Sequence, residues 1–221
     1  MKHLVEPKNG IWVASREDLD EKILGEQILN SDVCIADLDD TDAKSPAKDI
    51  AFGCLTDKDY LLNPRFLAWC FQTFIKLGFK RKKAEPETWS EFVNKFLRNP
   101  QNLEKIEKRL NEDKIKSLIF YGVPELYRKL DRTFKVYMTG NIKAVGKRFG
   151  NFLGFDEVIE EVKEKHKETE KFVLRNPQFR RYFIRGSQDE EGILDVLNFF
   201  WRRDKIDYVI GCYVTEEPKA I

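Results

Sequence analysis

The apolar positions of this chain switch period from segment to segment. Ser15-Arg-Glu-Asp18 has the pattern of a capping box, and Leu19, Ile23, Leu24 and Ile28 then recur at helical spacing. A first helix ending near Asn30 is predicted. Val33-Cys-Ile-Ala36 follows as a short, wholly apolar run, the mark of a strand buried on both faces. It stops at Asp37-Leu-Asp-Asp-Thr-Asp42, where Leu38 is the only apolar residue.

From about Asp57 to Glu112 only helical spacing appears. Phe66, Leu67, Phe71, Phe74 and Ile75 form one stripe over 64–77, with Pro64 in a first-turn position and Gly78 at the end. Pro86 with Trp89, Phe92, Val93, Phe96 and Leu97 predicts a second helix of this stretch. Pro100 with Leu103, Ile106 and Leu110 predicts a third. After Gly122 strands and helices alternate. Helices are expected over 124–130, 142–149, 157–174 and 190–201. Strands are expected at Phe134–Met138, Tyr182–Ile184 and Tyr208–Val214. Such alternation predicts an α/β class, a Rossmann-like parallel sheet flanked by helices, with a small all-helical module inserted. The expected division is 1–47 with 115–221 for the α/β core and 48–114 for the insertion.

Composition narrows the function classes. The chain has 221 residues, with 42% apolar and 35% charged, as in a globular protein. Lys plus Arg is 39 against 38 Asp plus Glu, so the whole surface offers no general attraction to nucleic acid or anionic lipid. No aromatic-basic strand motif for nucleic acid is present. Two histidines, His3 and His166, leave little material for histidine metal sites or His-based triads. Cys34, Cys54, Cys70 and Cys212 lack metal-ligand spacing and read as reduced core thiols. Neither a signal peptide nor a membrane span is recognisable, and a cytoplasmic location is expected.

In an open parallel sheet, ligands bind at the carboxyl ends of the strands. Three predicted strands end in residues suited to chemistry: Asp37, Asp39 and Thr41; Thr139 and Asn141; and Ser187 with Asp189, Glu190 and Glu191. One carboxylate of the Asp37/Asp39 pair can attack an electrophile while the other manages a proton. Clustered carboxylates call for a cation, and Mg²⁺ with oxygen ligands fits. An acidic loop that only caps a helix is the plainer reading of the same residues.

Ile35-Ala-Asp-Leu-Asp-Asp-Thr41 resembles the first motif of the haloacid dehalogenase-like (HAD) superfamily, an apolar strand followed by Asp-x-Asp-x-Thr. Lys135-Val-Tyr-Met-Thr-Gly-Asn141 is similar to its second motif, and Tyr121–Leu130 to the usual approach to that motif. Phe155-Asp-Glu-Val-Ile159 is similar to a further recurrent segment. The resemblance covers roughly 31–214. It implies a phosphoaspartyl enzyme in which Asp37 is the nucleophile and Asp39 the acid and base. Thr139, Gly140 and Asn141 would hold the phosphoryl group, and the helical insertion would be a cap. An acid at Asp39 favours phosphoryl transfer over carbon–halogen cleavage.

The same resemblance implies a lysine that neutralises the nucleophile and the phosphate. Lys163, Lys165, Lys167 and Lys171 are candidates, and helical phase with Val158, Val162, Thr169 and Phe172 favours Lys165. His166 reads as a partly buried helix residue. The fourth motif departs from the usual pattern, because Ser187 stands where the first acid is expected. Asp189, Glu190 or Glu191 would then complete a Mg²⁺ site with Asp37 and Asp39, or simply favour the dipole of the next helix.

The expectation is therefore a Mg²⁺-dependent phosphatase of a small phosphorylated metabolite. Phosphotransfer by a phosphomutase-like relative and a non-catalytic binding protein are the alternatives. Neither nucleic acid nor membrane is an expected partner, and monomer and dimer both stay open.

Overall fold

Val33–Ala36, wholly apolar and wholly buried, forms the strand on which the rest of the sheet is ordered. In a computed structural model of the chain, the residues described are 11–12, 21–44, 100–186 and 205–213, with isolated positions at 64, 71, 196, 199, 200, 202 and 203. Their strands are β1 (Ile11–Trp12), β2 (Val33–Ala36), β3 (Phe134–Met138), β4 (Glu157–Ile159), β5 (Arg181–Gly186) and β6 (Tyr208–Tyr213). All pairings are parallel, in the order β1-β6-β5-β2-β3-β4. The chain runs outward from β2 through β3 to β4, then returns to the other side of β2 for β5 and β6. The carboxyl end of β2 thus lies at the point where strand order reverses, the usual crevice for a ligand in such sheets.

The described helices are α1 (Glu21–Leu29), α2 (Pro100–Arg109), α3 (Glu112–Leu118), α4 (Val123–Lys129), α5 (Lys143–Leu153) and α6 (Lys165–Arg175). The chain divides into two compact units, Met1–Lys44 with Ile119–Ile221, and Ser45–Leu118. The second unit contains α2 and α3, whose Ile106, Ile115 and Leu118 are buried, as is Leu110 just after α2. Among the described residues no helix is long and apolar enough to cross a membrane.

Strand alternation gives the sheet two different faces. Val33, Ile35, Val136, Met138, Tyr182, Ile184 and Val209 form one core with Phe172 and Val173 of α6 and with Val196 and Phe200. Each such large side chain, fully buried, favours folding by roughly 1.5–3 kcal/mol before entropy is counted. On another side of β3, the ring of Tyr137 stacks on Phe155 at 4.1 Å, and Tyr127 meets Phe155 edge-on at 4.7 Å. Lys135, although charged, is buried with its Nζ donating to the carbonyls of Leu130 at 3.0 Å and Thr133 at 3.5 Å. Cys34 is buried, and burial raises its thiol to about 12, so it behaves as an inert core residue.

Several sequence expectations need correction. The helix expected over 157–174 is instead strand β4 followed by a loop and α6. The backbone explains why. Thr139 N–H donates to Ile159 O, Glu161 N–H to Asn141 O, and Val162 N–H to Thr139 O, each at 3.0 Å. Those groups are used sideways, so they cannot join an i→i−4 ladder, and Glu161 takes a left-handed φ of 60°. The helix expected over 142–149 runs on to Leu153, and β1 was not foreseen. The capping box at 15–18, most of the helical stripes over 64–97 and most of the helix expected over 190–201 lie outside the described residues.

Candidate functional site

Parallel pairing brings the ends of β2 and β3 to one edge, and each continues into polar residues. Asp37 follows Ala36 directly and prolongs the ladder, its N–H donating to Arg185 O at 2.9 Å. Its side chain is nearly sealed, with Oδ1 accepting the Leu38 N–H at 2.7 Å. The loop then turns back on itself. Asp42 and Ala43 both donate N–H to Leu38 O at 3.1 Å, and Asp40 takes a φ of 56°. An aspartate tolerates this left-handed conformation better than most residues.

Thr139 follows β3 in the same way. Its Oγ1 accepts the Asn141 N–H at 3.0 Å and a longer contact from Asn141 Nδ2 at 3.4 Å. Asn141 Nδ2 also donates to Asp39 Oδ2 at 2.6 Å, which ties the β3 turn to the β2 loop. Gly140 lies exposed between them. A Cβ there would come 3.4 Å from Val162 O.

Lys165 completes the group. It is the first residue of α6 and reaches Asp37 Oδ1 in a direct ion pair. Helical phase carried on from Val158 does not place it there, because Val158 lies in β4. Lys165 instead reaches the site because the loop after β4 starts α6 at the carboxyl edge. Lys163 is exposed, while Lys167 and Lys171 pair with Glu164 and Glu168 on the outside of the helix. His166 is half-buried on α6.

The electrostatics separate the two aspartates. Burial, and then the negative charge of Asp37, push Asp39 up to about 6, while Asn141 and Lys165 act in the opposite direction. A carboxyl group in that range exchanges protons readily near neutrality. Tyr137, fully buried below, is raised above its ordinary value by burial and by the same two carboxylates.

Two converging carboxylates are hard oxygen donors, a chemistry that fits Mg²⁺ better than a softer metal. Among the described residues no set of three or more His, Cys, Asp or Glu side chains gathers in a metal-binding group. Asp189 and Glu190, the other expected ligands, lie outside the described residues, as do Ser187 and Glu191.

Three residues at this edge were not singled out from sequence: Asp42, Arg185 and Tyr127. Arg185 pairs with Asp42 and donates to Thr41 O at 3.0 Å, while the Tyr127 hydroxyl donates to Asp42 Oδ2 at 2.5 Å. The available signal was Arg185, a charge inside the otherwise apolar run Tyr182–Gly186.

Together the site has an Asp-x-Asp-x-Thr loop leaving the central strand and a Thr-Gly-Asn turn leaving its neighbour. A lysine heads the helix after the next strand. The fold is Rossmann-like, a parallel sheet flanked by helices. Among solved structures, the DsGPDH of Dunaliella salina is similar, at 13% identity over 87% of this chain with a TM-score of 0.53. The chain spans about a third of that protein, 33% of its length. A hydrolase from Streptococcus pneumoniae TIGR4 aligns at 14% identity over 84% of this chain and 94% of its own, with a TM-score of 0.44. YfnB of Bacillus subtilis, described as a HAD-hydrolase and solved bound to magnesium, aligns at 14% identity. That alignment covers 86% of this chain and 92% of YfnB, with a TM-score of 0.46. No protein-family model matches the chain, and no curated protein matches it. At 13% identity the likeness to the Dunaliella salina protein is one of fold alone.

Proposed function

We propose that the chain is a Mg²⁺-dependent phosphatase acting on a small phosphorylated metabolite through an aspartyl-phosphate on Asp37. The observation that carries this reading is the pairing of the buried Asp37 with Lys165 beside a second carboxyl raised to about 6. A carboxylate nucleophile needs a cation to approach a phosphate dianion, and Lys165 provides one within the protein.

In this mechanism an oxygen of Asp37 attacks phosphorus, and the leaving alcohol oxygen takes the proton of Asp39. Asp39, now ionised, takes a proton from water as that water attacks the aspartyl-phosphate. Phosphate departs, Asp37 is regenerated, and Asp39 is again protonated. Thr139 Oγ1 accepts from Asn141 and would donate its own proton to a phosphoryl oxygen. The exposed Gly140 leaves room for backbone N–H groups to approach the same oxygens. Mg²⁺, held by Asp37 with Asp189 or Glu190, and by Asp39 when that carboxyl is ionised, would offset negative charge on the transferring group. The unit Ser45–Leu118 would serve as the cap that selects the substrate. A soluble metabolite, with neither nucleic acid nor membrane, is the partner this site would take, in the cytoplasm.

The test is hydrolysis of p-nitrophenyl phosphate and a panel of phosphometabolites with Mg²⁺, with and without EDTA, for wild type and Asp37→Asn. Metal-dependent turnover that the substitution abolishes supports the reading. Absence of turnover across the panel, with no Mg²⁺ binding by calorimetry, would leave a non-catalytic binding protein. Labelled phosphate retained on a product would mean phosphotransfer to another acceptor.

A further inference from the structure

Beneath the loop that carries both aspartates lies a charged network that hydrolysis itself does not require. Arg185 stands opposite Ala36 in the β2–β5 register, one residue before Asp37. Its backbone carbonyl accepts the Asp37 N–H at 2.9 Å. Its guanidinium pairs with Asp42 Oδ1, donates to Thr41 O at 3.0 Å and lies 3.4 Å from the Tyr127 hydroxyl. The hydroxyl in turn donates to Asp42 Oδ2 at 2.5 Å. Asp42 is 0% exposed and Tyr127 2%. Asp42 O also accepts the Phe120 N–H at 2.9 Å, so the far end of the loop is held through backbone as well.

We infer that Asp42, Arg185 and Tyr127 are positioning residues that clamp the Asp37–Ala43 loop, so that Asp37 and Asp39 meet the substrate in one fixed geometry. A buried ion pair is a poor source of stability, because desolvating both charges offsets most of their attraction. Two apolar residues of similar size would fill the same space at no such cost. What an apolar pair cannot do is specify direction. Here one guanidinium addresses a carboxylate and a carbonyl on adjacent loop residues, while the phenol fixes the second carboxylate oxygen. Since Asp37 and Thr41 are both tied to Arg185, one by its carbonyl and one by its side chain, the loop is pinned at both ends to β5. Misplacing a reacting group by about 1 Å can cost roughly a hundredfold in rate, so such a clamp acts on turnover.

The kinetic part rests on the phosphatase reading; the clamp itself does not. The experiment therefore combines amide hydrogen exchange with kinetics on Tyr127→Phe and on the double variant Asp42→Leu/Arg185→Met. Tyr127→Phe removes one hydroxyl and keeps the ring against Phe155. The double variant removes the pair without stranding a buried charge. Both are expected to fold, with the double variant melting at or above the wild-type temperature. In both, the Thr41, Asp42 and Ala43 amides should exchange about tenfold faster or more. In both, kcat should fall roughly tenfold or more while KM stays within about twofold. A double variant that melts normally yet loses turnover separates positioning from stability. Unchanged exchange at Thr41–Ala43, or wild-type kcat in the double variant, would overturn the inference. A wild type without turnover would sink the phosphatase reading, and exchange would still decide the clamp.

Discussion

Lys165 Nζ and Asp37 Oδ1 form an ion pair in which the carboxylate is almost sealed from solvent and the lysine is 22% exposed. The two residues come from different layers of the molecule, the end of the central strand and the first turn of α6. Because the loop 160–164 gives its backbone donors to the 139–141 turn, α6 starts at the carboxyl edge, where its first residue can reach Asp37.

Removing that cation should lower catalysis and, by stranding the buried Asp37 charge, stability as well. Lys165→Met is expected to lower kcat by about 10²–10³, the effect of losing one donor to a developing negative charge. Lys163→Ala, Lys167→Ala and Lys171→Ala should each stay within about twofold, since they face solvent or pair with neighbouring glutamates. Steady-state kinetics on the four variants checks this. Equal losses from Lys167→Ala and Lys165→Met would refute the assignment.

Asp39 should set a trade between activity and stability. Its folded value of about 6, raised by burial first and by Asp37 second, exceeds an unfolded value near 4. Between those limits the folded state holds the extra proton, so the Asp39 contribution to stability falls as pH rises through the window. In metal-free protein, Asp39→Asn should therefore raise stability above pH ~6, by up to about 2 kcal/mol, and change little below pH ~4. Its amide can still accept from Asn141. Urea midpoints in EDTA across that range test the sign, while turnover should fall by about 10² or more.

The sheet was legible where apolar runs were pure. Val33–Ala36 and Phe134–Met138 are found as expected, because wholly apolar or nearly apolar segments of that length suit strands buried on both faces. Glu157–Ile159 was misread. Its spacing joins smoothly to that of α6, and only its parallel pairing with Val136–Met138 reveals a strand. The grouping of Asp37, Asp39, Thr139 and Asn141 followed from topology, since parallel strands deliver their ends to one edge. Asp42 and Arg185 were illegible as a pair, because a long-range contact between opposite charges has no spacing to detect.

Close packing of α5 gives a second route to the site. A Cβ on Gly150 would come 2.5 Å from Val158 Cγ2, and one on Gly146 would come 2.9 Å from Thr139 Cγ2. Alanine favours a helix over glycine by roughly 1 kcal/mol, so propensity alone predicts stabilisation from either change. Steric crowding should reverse that sign, since valine and threonine have few rotamers to retreat into. Gly150→Ala should lose about 1–3 kcal/mol and be partly rescued by Val158→Ala. Gly146→Ala should also lower kcat, because the methyl group it presses on belongs to Thr139. Chemical denaturation and kinetics on the single and double variants separate the two effects.

Asp32 offers a control at the opposite end of β2. Its Oδ2 accepts the N–H groups of Arg180 and Arg181 at 3.0 Å, and its Oδ1 accepts Arg181 Nε at 2.9 Å and Nη2 at 2.5 Å. Burial alone would raise this carboxyl, yet the Arg181 hydrogen bond and the two backbone amides outweigh it and hold it below the ordinary range. A depressed folded value means that the unfolded state binds the proton first. The contribution is thus present above the unfolded value near 4 and disappears as pH falls through the folded one. With Arg181 43% and Asp32 22% exposed, solvent screening limits the effect to on the order of 1 kcal/mol. Asp32→Asn should cost that much at pH 7, and the difference should shrink progressively as pH falls below about 4. Turnover at pH 7 should stay near wild type, because β2 separates Asp32 from Asp37. A large loss of kcat without a loss of stability would mean that the two ends of the strand are coupled.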